Sequence, residues 1–229
     1  MNTIKSLLLI TCLTLTTLGF SQNKLDKIDQ LITEKFKTTK TGAAVLISQH
    51  GKPVYRKAFG LANLELNVKM NPTNVFEIGS MTKQFTAVSI LMLLEQGKLD
   101  LQDDITKYIT DYPTKGHKIT IHQLLNHTSG IKSYTRMRSL FKVARNDMKP
   151  LELINFFKNE PMDFNPGEDY KYNNSAYIIL GFIIEKVSGL SYADYIQQNI
   201  FDKLGMKNSL YASHTKLIPN RASGYHNRK

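Results

Sequence analysis

The sequence predicts an α+β fold, with a small antiparallel sheet in the first third and a mainly helical region after it. Three observations lead there. Two strand-like runs, 43–48 and 54–59, flank His50-Gly51-Lys52, a hairpin signal. Two nearly all-apolar segments, 81–94 and 176–187, have the length and composition of buried helices. Beyond Leu99 strand-like runs are scarce, and short helices and loops are expected instead.

Residues 1–21 read as a secretory signal: Lys5 forms a charged n-region, 6–20 an apolar stretch, and Gly19-Phe20-Ser21 a small-x-small cleavage site. At fifteen residues the stretch is short for a membrane span, which needs about 20. Cleavage is therefore expected, with a mature start at Gln22 and no stable membrane span afterwards; a retained anchor is the minor alternative. The single cysteine, Cys12, lies inside this segment, so disulfides, thiol catalysis and cysteine-ligated metals are excluded from the mature chain. No cofactor or metal is expected. The remaining 208 residues, at 41% hydrophobic content for the whole chain, suit one globular domain, 22–229. It divides into a sheet-forming part, 22–78, and a helical part, 79–210. The net charge of +11 falls to +10 without Lys5, which suits an exported protein working near anionic polymers. Arg136, Arg138, Lys142 and Arg145 form the densest basic stretch, but their spacing does not share one helical face. A solvated surface is favoured over a nucleic-acid groove.

Leu25, Ile28, Ile32 and Phe36 recur at helical spacing and predict an amphipathic helix lying across a sheet. The hairpin follows, and two strands need further strands or a covering helix for stability. Residues 63–73 read as an irregular connection to the central helix, which ends at Gly97. Thr120-Ile121-His122-Gln123 is a capping box leading into Leu124-Leu125-Asn126-His127-Thr128-Ser129-Gly130. Residues 139–157 read as mixed helix interrupted by Pro150, forming a lid or wall. Pro166-Gly167 makes a turn, Ser175 is a candidate cap, and helix 176–187 stops at Gly189. Ser191-Tyr192-Ala193-Asp194 caps a last helix running into Phe201-Asp202-Lys203-Leu204-Gly205-Met206.

Candidate chemistry concentrates at the heads of the two apolar helices. Ser80 and Lys83 are one turn apart, so a hydroxyl and an amine share a face. Serine is a poor nucleophile until a neighbour takes its proton, and a lysine at a helix N-terminus among apolar residues is suited to that task. Pattern alone favours a capping serine and a surface lysine, because the same spacing recurs at Ser21/Lys24, Ser129/Lys132, Ser139/Lys142 and Ser213/Lys216. Only Ser80 opens a long apolar helix. Tyr172 and Asn174 stand just before the second such helix, and a tyrosine beside a lysine cation ionises more easily. The competing reading is a packed aromatic with a locally bonded hydroxyl, and the Tyr-x-Asn spacing recurs at Tyr225/Asn227. For His127 a packing and hydrogen-bonding role is favoured over a Ser/His pair, because no motif supplies a carboxylate partner.

In order along the chain, GAAVLISQHGK, IGSMTK, LLNHTSG, FNPGEDYKYNNSAYIILG and FDKLGM resemble the serine β-lactamase and penicillin-binding protein superfamily. The resemblance is to the branch with class C β-lactamases, related esterases and D-amino-acid peptidases, and covers about residues 25–225. It implies a β-lactamase/transpeptidase-like fold, an antiparallel sheet with flanking helices plus a mainly helical subdomain. It also implies Ser80 as acylated nucleophile, Lys83 as proton acceptor and shuttle, Tyr172 as base and acid, and Asn174 beside it in substrate binding. Serine is common in the middle of Tyr-x-Asn, where this chain has Asn173. Such proteins carry a third motif, Lys or His followed by Ser/Thr and Gly, well after Tyr172; none occurs in the 57 residues that follow. Lys40-Thr41-Gly42 spells it but precedes the nucleophile. The expectation is a C-terminally incomplete member whose later sheet strands are missing. The function expected is an exported, periplasmic or secreted serine hydrolase forming an acyl-enzyme on a small ester, peptide or lactam. The rival is a catalytically impaired fragment that binds cell-wall peptide or a partner.

Overall fold

The computed structural model describes residues 24–37, 39–212 and 215–226, which form two compact units. One comprises the described residues of Met1–Glu77 and Ser213–Lys229, the other Ile78–Ala212. The expected signal segment, Ser213 and Asn227 lie outside the described residues.

In the first unit, helix α1 (residues 24–35) half-buries Leu25, Ile28 and Ile32, and Phe36 just beyond it, the stripe that the spacing predicts. Asp29 fixes the helix by accepting from Tyr55 Oη at 2.8 Å and pairing with Lys57 Nζ at 2.5 Å. Strands β1 (Ala43–Gln49) and β2 (Lys52–Phe59) pair antiparallel, Ala43 opposite Phe59 and Ile47 opposite Tyr55. His50 and Gly51 both take positive φ, 51° and 73°, the two-residue turn whose twist matches the flanking strands.

The expectation for 63–73 is corrected. Strands β3 (Leu61–Asn63) and β4 (Val68–Lys69) form a second, very short antiparallel pair. Asn63 Oδ1 accepts from Leu66 N at 2.6 Å, and Asn67 at φ 52° closes the turn. Three- and two-residue strands are too short to show a period. Residues 220–223 return to this unit: Val75 N donates to Asn220 O at 3.0 Å, Ala222 N to Val75 O at 2.9 Å, and Ser223 N to Ala62 O at 2.8 Å.

The second unit is helical. A single 3₁₀ turn (Gly79–Met81) leads into α2 (Thr82–Glu95). Then come α3 (Ile121–Leu125), α4 (Leu140–Val143), α5 (Pro150–Phe157), α6 (Asn174–Ser188) and α7 (Tyr192–Ile196), which continues as a π-helical segment (Gln197–Phe201). Helix α6 packs against α2, α3, α5 and α7. Ile90, Leu93, Ile121, Leu124, Ile154, Phe157, Ile179, Leu180, Ile183 and Ile184 fill the core between them. Each such side chain contributes about 1.5–3 kcal/mol by leaving water.

Three local expectations change here. The apolar run of α2 is buried on one face only, through Thr86, Ser89, Ile90 and Leu93, while Met81, Val88 and Leu91 are exposed. Helix α6 and the 192–201 segment, which meets Phe85, Thr86 and Met92, cover one side of α2, whatever the composition of the rest. Pro150 starts α5 rather than interrupting a helix, because its missing N–H costs nothing at the first helical position. The cap of α6 is Asn173, whose Oδ1 accepts from Ala176 N at 3.0 Å. Ser175 lies inside the helix, fully buried, and its Oγ accepts from Tyr134 N at 2.8 Å. The Thr120/Gln123 capping box forms as expected, with bonds of 2.9 and 3.2 Å.

Candidate active site

Gly79, at φ 54°, turns the chain so that Ser80 occupies the 3₁₀ turn and Lys83 the first turn of α2. Lys83 Nζ stands 3.5 Å from Ser80 Oγ and donates to Asn174 Oδ1 at 2.7 Å. It also lies 4.6 Å from the centre of the Tyr172 ring and 5.3 Å from that of Tyr177. The four residues singled out from the sequence, Ser80, Lys83, Tyr172 and Asn174, are thus brought together. They come from the heads of α2 and α6, which pack against each other.

The other Ser-x-x-Lys matches lack this setting. Ser129 is fully buried, and Lys132 is engaged by Asp163 at 2.7 Å. Ser139 stands just before the four-residue α4, and Lys142 lies within it. Lys24 lies in α1, and its Ser21, like Ser213, is outside the described residues.

Tyr172 is the electrostatic centre of the cluster. Burial alone would push its phenol up, but hydrogen bonding to Lys83 and Ser80, with the Lys83 charge, outweighs that and holds it below its ordinary value of 10. The phenol therefore gives up its proton more readily beside the serine hydroxyl. His127 is held below its ordinary value first by burial and then by the Lys83 charge. The phenol of Tyr177 moves the other way, raised by burial and then by Tyr172, and donates to Leu125 O at 3.0 Å.

The loop bearing Tyr172 is pinned at several points. Lys171 N donates to His127 O at 3.0 Å, and Lys171 Nζ pairs with Asp163 at 2.9 Å. Asn173 N donates to His127 Nδ1 at 3.2 Å, and Asn173 Nδ2 donates to Ile131 O. Asn174 Nδ2 donates to Thr135 Oγ1 at 3.0 Å, and Asn174 N to Ser133 Oγ at 3.2 Å. Among the described residues no group of three His, Cys, Asp or Glu is placed to hold a metal ion.

The family model for beta-lactamase matches residues 28–229. The chain belongs to the beta-lactamase family. It is 33% identical over 212 residues to penicillin-binding protein 4* of Bacillus subtilis, covering 89% of this chain and 45% of that protein. Among solved structures it is similar to an octameric penicillin-binding protein homologue from Pyrococcus abyssi. There the TM-score is 0.68 and the identity 36%, over 80% of this chain and 43% of that one. It is also similar to D-amino acid amidase from Ochrobactrum anthropi SV3 complexed with D-phenylalanine. That match has a TM-score of 0.72 and 28% identity, over 81% of this chain and 52% of that one. The beta-lactamase family chain thus spans about half the length, or less, of these relatives. The fold is β-lactamase/transpeptidase-like, and the family includes serine hydrolases such as amidases.

Ser133, Thr135 and Tyr177 are site neighbours that the sequence does not mark. Ser133 precedes and Thr135 lies within a single 3₁₀ turn (Tyr134–Arg136) too short to leave a spacing signal, and Tyr177 looks like one more apolar position of α6. Arg136, Arg138, Lys142 and Arg145 are all exposed.

Proposed function

We propose that this chain acts as an exported serine hydrolase that forms an acyl-enzyme through Ser80 on a small ester, amide or lactam. The observation that carries the reading is the position of Lys83, between Ser80 Oγ at 3.5 Å and Asn174 Oδ1 at 2.7 Å, beneath the ring of Tyr172. Lys83 donates to both oxygens, which orients the serine lone pairs and stabilises a phenolate on Tyr172. Ser80 Oγ attacks the substrate carbonyl carbon while its proton passes to Tyr172, directly or through Lys83. The same proton then goes to the leaving oxygen or nitrogen as its bond to the carbonyl breaks, leaving the acyl group on Ser80. Water attacks that ester, giving its proton to Tyr172, which passes it to Ser80 Oγ as the acyl–oxygen bond breaks, releasing the acid and the free serine. Asn174 holds Lys83 in place and offers its amide to the bound substrate.

Export is supported by the charged Lys5 followed by the apolar stretch to Phe20 and the small residues at 19 and 21. A small peptide or amide substrate, of cell-wall origin, is in keeping with the penicillin-binding proteins and the D-amino acid amidase to which the chain is similar.

The test is labelling of the purified chain with a fluorescent penicillin and a fluorophosphonate, with peptide mapping, alongside turnover of an activated ester. Label on Ser80, lost in Ser80→Ala together with turnover, is the expected result. Label without turnover supports the impaired, binding-only alternative. Label on Ser129 or Ser139 that survives Ser80→Ala overturns the assignment.

A further inference from the structure

His127 contributes two acceptors to the segment that carries Tyr172, and they fall on either side of it. Its main-chain O accepts from Lys171 N at 3.0 Å, and its Nδ1 accepts from Asn173 N at 3.2 Å. Between these two points its ring lies against the Tyr172 ring, centroids 4.8 Å apart and planes tilted by 46°. The backbone that makes this possible is unusual, because His127 sits at φ 66°, a region that non-glycine residues seldom occupy. The αL turn brings the carbonyl and the imidazole of one residue to the same short segment.

We infer that His127 is a positioning residue for Tyr172, holding the two peptide N–H groups that flank it so that the phenol stays at Lys83 and Ser80. The hold requires a neutral imidazole whose proton is on Nε2, since Nδ1 must accept. Protonation places a second N–H at Nδ1, facing the N–H of Asn173, and breaks the side-chain half of the clamp. It also sets an imidazolium in a group that already contains Lys83 from α2. The other titratable groups facing the ring are Tyr170 and Tyr172 from the loop before α6 and Tyr177 from α6 itself, at centroid distances of 6.0, 4.8 and 5.2 Å. Burial and Lys83 both disfavour the charged ring, so the clamp persists into mildly acidic solution. His127 does not touch the reacting atoms in this account; it acts through Tyr172. Misplacing a catalytic group by about 1 Å costs on the order of 10²-fold in rate.

The inference deepens the hydrolase reading, and only its kinetic arm rests on that reading. The Tyr172 phenol is followed in the full chain by NMR of ¹³Cζ-labelled tyrosine, assigned with Tyr172→Phe, in the parent, His127→Ala and His127→Asn. Asparagine tolerates positive φ and puts Oδ1 where the imidazole has Nδ1, without titrating near neutrality. In His127→Ala the phenol is expected to return toward its ordinary value, with kcat down by about 10² and KM within about threefold. In His127→Asn the lowered phenol and most of kcat are expected to survive, while the acid limb due to His127 disappears. A folded His127→Ala with an unchanged phenol, or a His127→Asn that loses as much as His127→Ala, overturns the clamp. Should His127→Ala fail to fold, ¹⁵N NMR of the parent imidazole decides. A neutral ring protonated on Nε2 supports the proposal, and one protonated on Nδ1 overturns it. If no variant hydrolyses any ester, the hydrolase reading fails while both NMR measurements still judge the clamp.

Discussion

Lys83 Nζ and Asn174 Oδ1 are 2.7 Å apart, although 91 residues of chain separate them. That bond ties the helix that begins just after Ser80 to the helix that begins just after Tyr172. It directs the ammonium between a hydroxyl and a phenol. Asn174→Ala removes this acceptor and is expected to lower ester turnover by at least tenfold with Ser80 still open to labelling by a fluorophosphonate. Steady-state kinetics and labelling rates on the same preparation check it.

Lys83→Ala and Tyr172→Phe should each reduce turnover by about 10² to 10⁴, the usual worth of a positioned acid or base. Their melting temperatures should stay close to that of the parent. With the phenolate as the proposed base, turnover should rise with pH up to the phenol's lowered value and level off above it. That limb should vanish in Tyr172→Phe. A variant within about threefold of the parent, a difference below 1 kcal/mol, removes the residue from the mechanism.

Asn173 is 4% exposed and caps α6 while donating to Ile131 O. Asn173→Ala loses the cap and leaves the Ile131 carbonyl without this donor, a cost of about 2–3 kcal/mol. Asn173→Ser keeps a capping oxygen but cannot reach Ile131, so about half of the loss should be recovered. Urea denaturation of the three proteins measures the difference.

Asp163 is 9% exposed in its side chain and pairs with both Lys132 and Lys171. Burial alone would raise its carboxyl, yet hydrogen bonds and charge from the two lysines hold it below its ordinary 3.8. A depressed carboxyl stabilises the fold fully above its unfolded value, and the effect is lost as pH falls through the lower folded value. Asp163→Asn should therefore destabilise by about 1–3 kcal/mol near neutrality, less than for a fully buried pair because the lysines are 30% and 40% exposed. The difference from the parent should shrink as pH falls below 3.8, which thermal melts across pH 3–7 would show.

The β1–β2 pair exposes Leu46 and Val54 beside a shallow hollow lined by Ala44, Val45, Leu46, Pro53, Arg56 and Pro72. Among the described residues the sheet has two strands, so its apolar face and edges are open. Leu46→Thr with Val54→Thr should raise the monomeric fraction after concentration without changing the melting temperature by more than about two degrees. Size-exclusion chromatography coupled to light scattering tests this.

The order of short motifs was enough to indicate the family. Local chemistry was enough for the hairpin at His50-Gly51, the amphipathic stripe of α1, and the Thr120/Gln123 cap. Each of these depends on residues within a few positions of one another, and such interactions leave a pattern in the chain. Tertiary structure decided which of five Ser-x-x-Lys spacings meets a tyrosine and an asparagine, since that depends on α2 packing against α6. It also decided that Asn173 rather than Ser175 caps α6, because Ser175 is drawn inward to Tyr134 N while Asn173 answers both Ala176 and Ile131. The exposed side of α2 follows the same rule: composition sets how apolar a helix is, but only its neighbours determine which stripe is buried. His127 shows the division most sharply, because its residue type is visible in the sequence, while the left-handed turn that aims its two acceptors at the N–H groups on either side of Tyr172 exists only in the fold.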